Sequence, residues 1–400
     1  MGAVRLSLLG ANGPGPRVGT PPERLGQDGL VIAVPRRWSD ISPSWMTAAV
    51  ARKLPGVVVS EVRVGRVVDG TNSRARVELS YGAGSGPGSL FVKAGGRLAH
   101  RAALAALGAW AAEARLAESG VTLPLEHPLP YAAGIDQLRL SAVVVMEDVT
   151  LSGGRPNAGT GTLSVEEARS GLDGLARLHA SYWDRPLPEA LGFLTPWRLG
   201  ARWAPISAAS LLRGLRRLES ADQQWQIPPS LRVRDLERQF RMSAALAALG
   251  PQTVLHGDPH PGNTYWLPGD RTGFFDWQLV RRGNWSHDVG YFLIGSLAVA
   301  ERRVHEKALL AFYLESLRRA GAGARAAAGT RAGVGAGVAV PSHEAAWARY
   351  RASPAFGLGT WLHTLSAGTF QPLDTCLATL ERFAVAYGDL ETNRSVVAER

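Results

Sequence analysis

One ten-residue segment constrains the fold of this chain more than any other. It reads Val254-Leu-His-Gly-Asp-Pro-His-Pro-Gly-Asn263 and begins in a short apolar run that is typical of a strand. Proline has no backbone N–H and fixes φ, so the two prolines prevent both a continued strand and a helix. The segment must therefore be a loop, and it exposes four polar side chains at a strand end: His256, Asp258, His260 and Asn263.

A second apolar run carries a carboxylate that belongs with this loop. In Gly273-Phe-Phe-Asp-Trp277 the charge of Asp276 ends a strand, where it would be costly without a cation. The intervening turn closes a hairpin that brings Asn263 and Asp276 toward the same end. Asp258 and Asn263 have the D-x-x-x-x-N spacing of a kinase catalytic loop, in which the aspartate accepts a hydroxyl proton and the asparagine binds Mg²⁺. The spacing predicts Asp258 as the base, with Asn263 and Asp276 as ligands of Mg²⁺, which prefers oxygen ligands.

The same loop has an alternative interpretation as the metal cluster of a hydrolase. His256, Asp258 and His260 are metal-ligating residue types, and His287 could join them. The prolines disfavour this alternative because they exclude the helix that would place both loop histidines on one face. We therefore interpret His256 as a hydrogen-bonding scaffold.

Composition indicates an ordinary globular protein without a membrane segment. The chain has 400 residues, 46% hydrophobic and 20% charged, and no apolar run of the roughly 18–20 residues that a membrane helix needs. The first residues do not form a signal peptide, so we expect a cytoplasmic protein. The single cysteine, Cys376, excludes an intramolecular disulfide and lies in a helical pattern that predicts a buried thiol.

The basic residues do not predict a nucleic-acid partner, despite a net charge of +10. They are scattered and form no run of five or more. Of the 44 basic residues only Lys53, Lys93 and Lys307 are lysines. Lys93 ends the apolar strand Ser89–Lys93, where a compact ammonium group suits a phosphate, although an exposed strand-end lysine is the simpler alternative.

Periodicity divides the chain into a β-rich lobe and a helical lobe, an α+β fold. Residues 1–37 are predicted to be a disordered leader, 38–148 an N-terminal lobe and 149–400 a helical lobe with a low-complexity loop at 321–340. Predicted strands are Val57–Val68, Arg76–Tyr81, Ser89–Val92, Gln137–Leu140 and Ala142–Met146, with one main helix at Ala99–Ser119. Predicted helices of the second lobe are Val165–Tyr182, Pro205–Leu218, Leu231–Leu249, Asp288–Leu297, Arg302–Ala320 and Glu344–Arg351.

The loop and the Phe-Asp-Trp motif together resemble the phosphotransferase motif of the aminoglycoside phosphotransferase family. The resemblance is strongest to the branch with ecdysteroid-kinase-like, choline-kinase-type proteins. Val144–Asp148 is similar to that family's hinge strand, and Leu175–Trp183 to the helix after the hinge. The resemblance covers roughly residues 38–390. It implies a protein-kinase-like fold, ATP or GTP as donor, Mg²⁺, and a small-molecule alcohol as acceptor.

The resemblance also implies roles for individual residues. Lys93 would contact the α and β phosphates, with Glu113 as its helix partner and Glu118 as the competing candidate. Asp288 would be a helix N-cap. The remaining nucleotide contacts would come from the turn between two strands and from the hinge: Gly70, Thr71, Asn72, Ser73, Glu147 and Val149.

The acceptor is less constrained than the donor. Residues 184–250 contain six acidic residues and ten arginines, which favours a neutral, apolar or anionic acceptor over a polycationic aminoglycoside. A pseudokinase that only binds nucleotide is the alternative function. It is disfavoured because Lys93, Asp258, Asn263 and Asp276 are all present. The sequence leaves the acceptor, the choice of ATP or GTP and the oligomeric state open.

Overall fold

The structure, a computed structural model, describes residues 32–196, 204–221, 223, 225, 227, 231–327 and 338–398. Across these residues one lobe is built on an antiparallel sheet and a larger lobe is mainly helical. This arrangement confirms the predicted α+β fold class. Among the helices in these ranges, none combines the length and apolar composition needed to cross a bilayer.

The first lobe is organised around a six-stranded sheet with the order β1-β3-β4-β6-β5, in which β2 pairs with β3. All of these neighbours are antiparallel. The strands are β1 (Val58–Val64), β2 (Val68–Asp69), β3 (Asn72–Ala83), β4 (Ser89–Gly95), β5 (Pro130–Asp136) and β6 (Ser141–Glu147).

One face of this sheet is covered by α1 (Pro43–Val50), whose first turn is capped by the Ser42 hydroxyl. Met46 of this helix is fully buried against the sheet. Ile32 is buried in the same core, so the end of the predicted leader, residues 32–37, packs with the lobe. Residues 1–31 of that predicted leader lie outside the described residues.

The single helix predicted for Ala99–Ser119 is two helices, α2 (Leu98–Ala106) and α3 (Ala112–Glu118). Gly108 lies between them with φ of 69°. Glycine adopts this left-handed conformation without the steric penalty of a side chain and commonly ends a helix. The break gives α3 a direction of its own, and α3 carries Glu113.

The strand predicted at Gln137–Leu140 is wrong, because these residues form the turn between β5 and β6. Asp136 accepts a hydrogen bond from the Arg139 backbone N–H at 2.9 Å, and Leu140 has φ of 48°. Leu138 is 99% exposed. The apolar residues of this turn resemble a strand pattern. The actual strand, β5, begins at a proline at the sheet edge, and proline has a low strand propensity.

The second lobe consists of eight helices in the described ranges and five short strands. The helices are α4 (Val165–Tyr182), α5 (Ala204–Glu219), α6 (Val233–Leu246), α7 (Ser286–Ser296), α8 (Val299–Ala327), α9 (His343–Ala367), α10 (Leu373–Asp389) and α11 (Thr392–Ala398). The strands are β7 (Arg155–Pro156), β8 (Thr253–Leu255), β9 (Thr264–Leu267), β10 (Arg271–Phe274) and β11 (Arg281–Gly283).

Two helices run beyond their predicted ends. α9 continues through Pro354 and packs against α5, α6, α7 and α10, so tertiary contacts outweigh the loss of one helical hydrogen bond. α8 continues into the predicted low-complexity loop because its alanines favour helix, and residues 328–337 of that loop lie outside the described part.

A buried ion cluster joins α8, α9 and α10. The Arg302 guanidinium, 1% exposed, donates to Glu306 at 2.6 Å and pairs with Asp389. The Tyr350 hydroxyl donates to the same Glu306 carboxylate at 2.9 Å. Removing one partner of a buried pair leaves the other charge uncompensated.

Glu306→Ala is therefore expected to lower the free energy of unfolding by about 3 kcal/mol, measured by urea denaturation. The control is Glu315→Ala, which removes an exposed ion pair with Arg318 and is expected to change stability by about 0.5 kcal/mol or less. Equal effects of the two substitutions would contradict the assignment of the cluster.

Candidate active site between the two lobes

An ion-paired lysine connects the two lobes. Lys93 of β4 is 6% exposed, and its Nζ lies 2.6 Å from Glu113 Oε2 of α3 and contacts the Asp276 carboxylate of the second lobe. Glu113, and not Glu118, is the helix partner. One positive charge is thus held by a carboxylate from each lobe.

The electrostatics of this triad keep the lysine charged. Burial alone would lower the pKa of Lys93, but the carboxylates of Asp276 and Glu113 outweigh it and raise the pKa. Burial would raise the pKa of Asp276, and Lys93 reverses this and lowers it. Burial raises the pKa of Glu113, while Lys93 acts in the opposite direction. The lysine and Asp276 are therefore ionised at neutral pH.

The backbone at Asp276 is strained and held in place. Asp276 lies two residues beyond β10 and has a left-handed conformation, φ 65° and ψ 64°. This conformation costs roughly 1 kcal/mol or more for a residue with a side chain. The next backbone N–H, of Trp277, donates to Glu113 Oε1 at 3.1 Å. Glu113 therefore orients both the lysine and the segment that carries Asp276.

The loop after β8 places Asp258 and Asn263 together. Asn263 Nδ2 donates to the Asp258 backbone carbonyl at 2.9 Å and to Asp258 Oδ2 at 3.2 Å. Since the nitrogen makes both bonds, the Oδ1 atom is the part of this amide that can face a metal ion. The Phe275 N–H donates to the Asn263 carbonyl at 3.1 Å, which fixes the loop against the segment of Asp276.

The side chain of Asp258 is 16% exposed, and its surroundings favour the protonated form. Burial and, secondly, the charge of Asp276 raise the pKa of Asp258 to about 8. The Tyr291 hydroxyl, Arg281 and Asn263 act in the opposite direction. A cation bound nearby would lower the pKa of Asp258 and favour its ionised form, because it would offset the charge of Asp276.

Asp288 anchors the loop instead of capping its own helix, so its prediction as an N-cap is wrong. Trp285 precedes α7, and the Asp288 carboxylate accepts hydrogen bonds from the backbone N–H groups of His256, at 2.7 Å, and Gly257, at 2.9 Å. His179 Nε2 lies 3.4 Å from the same carboxylate. Helical periodicity indicates where a helix begins but not which backbone groups of a distant loop lie beside its first turn.

The histidines of the loop are structural. His256 Nε2 donates to the Phe275 carbonyl at 3.1 Å, and His256 Nδ1 accepts the Asp258 N–H at 3.2 Å. Both nitrogens are used, which confirms the scaffold interpretation and leaves none for a metal. His260 Nδ1 accepts the Gly262 N–H at 3.1 Å, and His287 Nε2 lies 3.3 Å from the Gly257 carbonyl. The geometry therefore gives the hydrolase cluster no histidine set.

The predicted phosphate turn, Gly70 and Thr71, lies between β2 and β3 and contacts the second lobe. Asn72 Nδ2 donates to Gln278 Oε1 at 3.0 Å, whereas the Ser73 hydroxyl donates back to Asp69 at 2.6 Å. These two side chains are thus engaged within the protein, and the backbone of the turn is what can face a phosphate.

A histidine of α2 makes a second connection from this turn. His100 Nδ1 lies 2.8 Å from the Gly70 carbonyl, and its Nε2 lies 2.9 Å from the Thr369 hydroxyl, between α9 and α10. No local sequence pattern indicates this contact, which joins residues that are 30 and 269 positions apart in the chain.

The predicted hinge residues Glu147 and Val149 lie at the end of β6, Glu147 as its last residue and Val149 two positions later. The Glu147 N–H donates to the Leu129 carbonyl at 2.9 Å. Val149 is buried against aromatic and apolar side chains of β9 and its surroundings, namely Tyr265, Leu267 and Phe275. Between the two, Asp148 is held by Arg76 at 2.6 Å and Ser89 at 2.6 Å. The hinge is therefore fixed to β3 and β4.

Sequence reasoning missed three residues around the site. Tyr291 hydrogen-bonds Asp258 and lies one helical turn after Asp288, so the i,i+3 spacing on α7 was an available signal. Arg281 is close enough to act on the charge of Asp258, and Arg74 stands directly opposite Lys93 in the β3–β4 register. The register itself could not be obtained from the strand pattern alone.

Residues 66–329 match the model of the phosphotransferase enzyme family, APH. The match covers more than half of the chain, so the chain belongs to this family.

Several solved structures resemble the chain at low identity. A choline kinase from Cryptosporidium parvum is 11% identical with a TM-score of 0.47, and the match covers 85% of this chain and 91% of that one. A choline kinase from Streptococcus pneumoniae is 12% identical with a TM-score of 0.43, covering 86% and 98%. An aminoglycoside-3'-phosphotransferase of type VIII is 22% identical with a TM-score of 0.39, covering 76% and 95%. No curated protein sequence matches the chain.

In protein freed of divalent cations, Asp258→Asn is expected to be more stable than the wild type at alkaline pH. The folded state raises the pKa of Asp258 from 3.8 to about 8, so this group loses stability as pH rises between those values. Asparagine does not titrate. We expect a melting temperature at least about 2 °C above wild type at pH 8, and a difference that shrinks toward pH 5.

The matched control is Asp235→Asn on the surface of α6, which is 45% exposed. It is expected to give the same small difference at both pH values in thermal unfolding followed by circular dichroism. A stabilisation by Asp258→Asn that is equal at pH 5 and pH 8 would show that Asp258 does not titrate in this way.

Proposed function

We propose that this protein transfers the γ-phosphoryl group of ATP or GTP to a hydroxyl group of a small molecule. The observation that carries the proposal is the convergence of Lys93 and Asp276, from different lobes, beside the loop of Asp258 and Asn263. Phosphoryl transfer depends on positioning and charge stabilisation, and this arrangement provides both.

Asp258 is the proposed base. Its carboxylate would accept the proton of the acceptor hydroxyl while the hydroxyl oxygen bonds to the γ-phosphorus and the bond to the leaving nucleoside diphosphate breaks. The amide of Asn263 and the hydroxyl of Tyr291 hold this carboxylate in place. A proton acceptor with a pKa near neutrality is well matched to this task.

Lys93 is the proposed contact to the α and β phosphates. An ammonium group has three donors, and two of them are directed to Glu113 and Asp276, so one remains for a phosphate oxygen. The backbone of Gly70 and Thr71 would cover the phosphates. Arg74, which lies across from Lys93 and acts on the charge of Asp276, adds positive charge on the same side.

Asn263 and Asp276 fit a magnesium ion. One amide oxygen and one carboxylate are the hard ligands that Mg²⁺ takes together with phosphate oxygens and water. Mg²⁺ bound there would neutralise phosphate charge. The adenine or guanine base would lie at the hinge beside Glu147 and Val149.

The proposed acceptor is neutral or anionic. Arg281 acts on the charge of Asp258, and Arg382 and Arg74 act on its neighbour His260, so positive charge accompanies the negative charge of Asp276 here. Trp361 contacts the His260 ring edge-on, with centroids 5.2 Å apart, and adds an apolar wall. A polycationic acceptor would meet repulsion here.

Asp258→Asn is expected to lower nucleotide turnover by about 10²–10⁴-fold, the contribution of a positioned general base. The assay follows release of nucleoside diphosphate with Mg²⁺ and a pool of alcohol-bearing metabolites, and mass spectrometry identifies the product that gains one phosphoryl group. Asp235→Asn, remote from the site, is the control and should retain wild-type turnover. A fully active Asp258→Asn enzyme would exclude Asp258 as the base.

Asn263→Ala is expected to raise the Mg²⁺ concentration for half-maximal turnover by at least about 10-fold, since even outer-shell partners of a metal have effects of this size. The control is Asn157→Ala, because Asn157 donates to the Thr264 hydroxyl at 2.9 Å and faces no proposed ligand. An unchanged Mg²⁺ requirement in the Asn263 variant would remove Asn263 from the metal site.

A further inference from the structure

A small cavity lies beside the ion pair of Lys93 and Glu113. It has a volume of about 40 Å³, borders Glu113 and Asp276, and is partly open to solvent. Its walls come from α3, β6 and the segment that follows β10. Most of the lining is apolar, with Leu116, Ala117, Val144 and Met146 among its members.

Two polar atoms of the lining are buried without a partner. Within the described residues, neither Trp277 Nε1 nor His127 Nε2 makes a hydrogen bond. The two rings stand edge-on, with centroids 6.3 Å apart and an angle of 78° between their planes. Leaving a buried donor or acceptor unsatisfied costs about 1–3 kcal/mol, so two such atoms at one cavity indicate a missing partner.

The chemistry of that partner follows from the two rings. His127 Nδ1 lies 3.0 Å from the Pro128 carbonyl, which can only accept, so Nδ1 carries the proton. Burial lowers the pKa of His127, so the ring is neutral and Nε2 is an acceptor. Trp277 Nε1 can only donate. A group that both donates and accepts one hydrogen bond satisfies the two rings together.

From this geometry we infer that the cavity is a binding site for a small apolar molecule bearing one hydroxyl group, which donates to His127 Nε2 and accepts from Trp277 Nε1. The site differs from the acceptor site at Asp258, because its lining includes Glu113 and Asp276 but neither Asp258 nor Asn263. It is a regulatory site.

Occupancy of the cavity would act on the lysine through Trp277. The backbone N–H of this residue donates to Glu113 Oε1 at 3.1 Å, and Glu113 Oε2 lies 2.6 Å from Lys93 Nζ. A molecule larger than water has to move part of the lining, and displacement of the indole ring would move the backbone segment that is hydrogen-bonded to Glu113. Inhibition by such a molecule rests on the proposed function, whereas its binding does not.

The test uses phenol and anisole, which have similar apolar bodies but differ in the ability to donate a hydrogen bond. The chain is labelled with 5-fluorotryptophan, and the resonance of Trp277, one of 12 tryptophans, is assigned by its loss in Trp277→Phe. Phenol is expected to shift this resonance saturably, and anisole to bind about 10-fold more weakly, the effect of one hydrogen bond. Phenol should also slow nucleotide turnover at concentrations where anisole does not.

Two variants of His127 provide the matched pair. His127→Phe should weaken phenol binding about 10-fold, and His127→Gln, which keeps an acceptor near the Nε2 position, should restore part of it. The comparison of phenol with anisole on the wild-type protein tests the inference even if His127→Phe does not fold. Equal binding of phenol and anisole, or a Trp277 resonance that phenol does not move up to its solubility limit, would show that only water occupies the cavity and would overturn the inference. Absence of any nucleotide turnover would contradict the proposed function. The titration with phenol would still test the binding site, because it does not depend on turnover.

Discussion

The buried charge of Lys93 is the interaction on which the site depends. A cation inside a protein is stable only beside compensating charge, and here the compensation comes from Glu113 in one lobe and Asp276 in the other. The lobes must therefore be correctly placed for the lysine to be accommodated at all. The same requirement fixes Asp276 in its left-handed backbone conformation, because Glu113 also binds the N–H of the following residue.

The local parts of this arrangement were predictable from the sequence, since they depend on short-range chemistry. The prolines of the loop, the spacing from Asp258 to Asn263 and the rare lysine at the end of an apolar strand each indicated one component of the site. Helix α4 begins and ends at its predicted residues because the Ser164–Glu167 capping box and strong apolar periodicity agree. The choice of Glu113 over Glu118 is decided by a tertiary contact, because it is the Glu113 carboxylate that lies 2.6 Å from Lys93 Nζ.

Contacts between distant segments were not predictable, because no local pattern encodes them. Asp288 shows this most clearly. Its position near the start of a helix was recognised, but its carboxylate serves the backbone of His256 and Gly257, which no propensity or periodicity indicates. The β5 strand was missed for a different reason: its edge position permits a proline, and the leucines of the following turn had the more strand-like pattern.

The contacts of the turn above the proposed phosphate site have a consequence for the kinetics of the cleft. Asn72 bonds to Gln278 and His100 to Thr369, so the turn is attached to the second lobe at two separate points. Full release of the turn from the second lobe requires both bonds to break, so opening of the cleft would involve the loss of both contacts. Entry and departure of the nucleotide would then both require the loss of these bonds. The residence time of the nucleotide would depend on these hydrogen bonds as well as on the contacts between the protein and the phosphates.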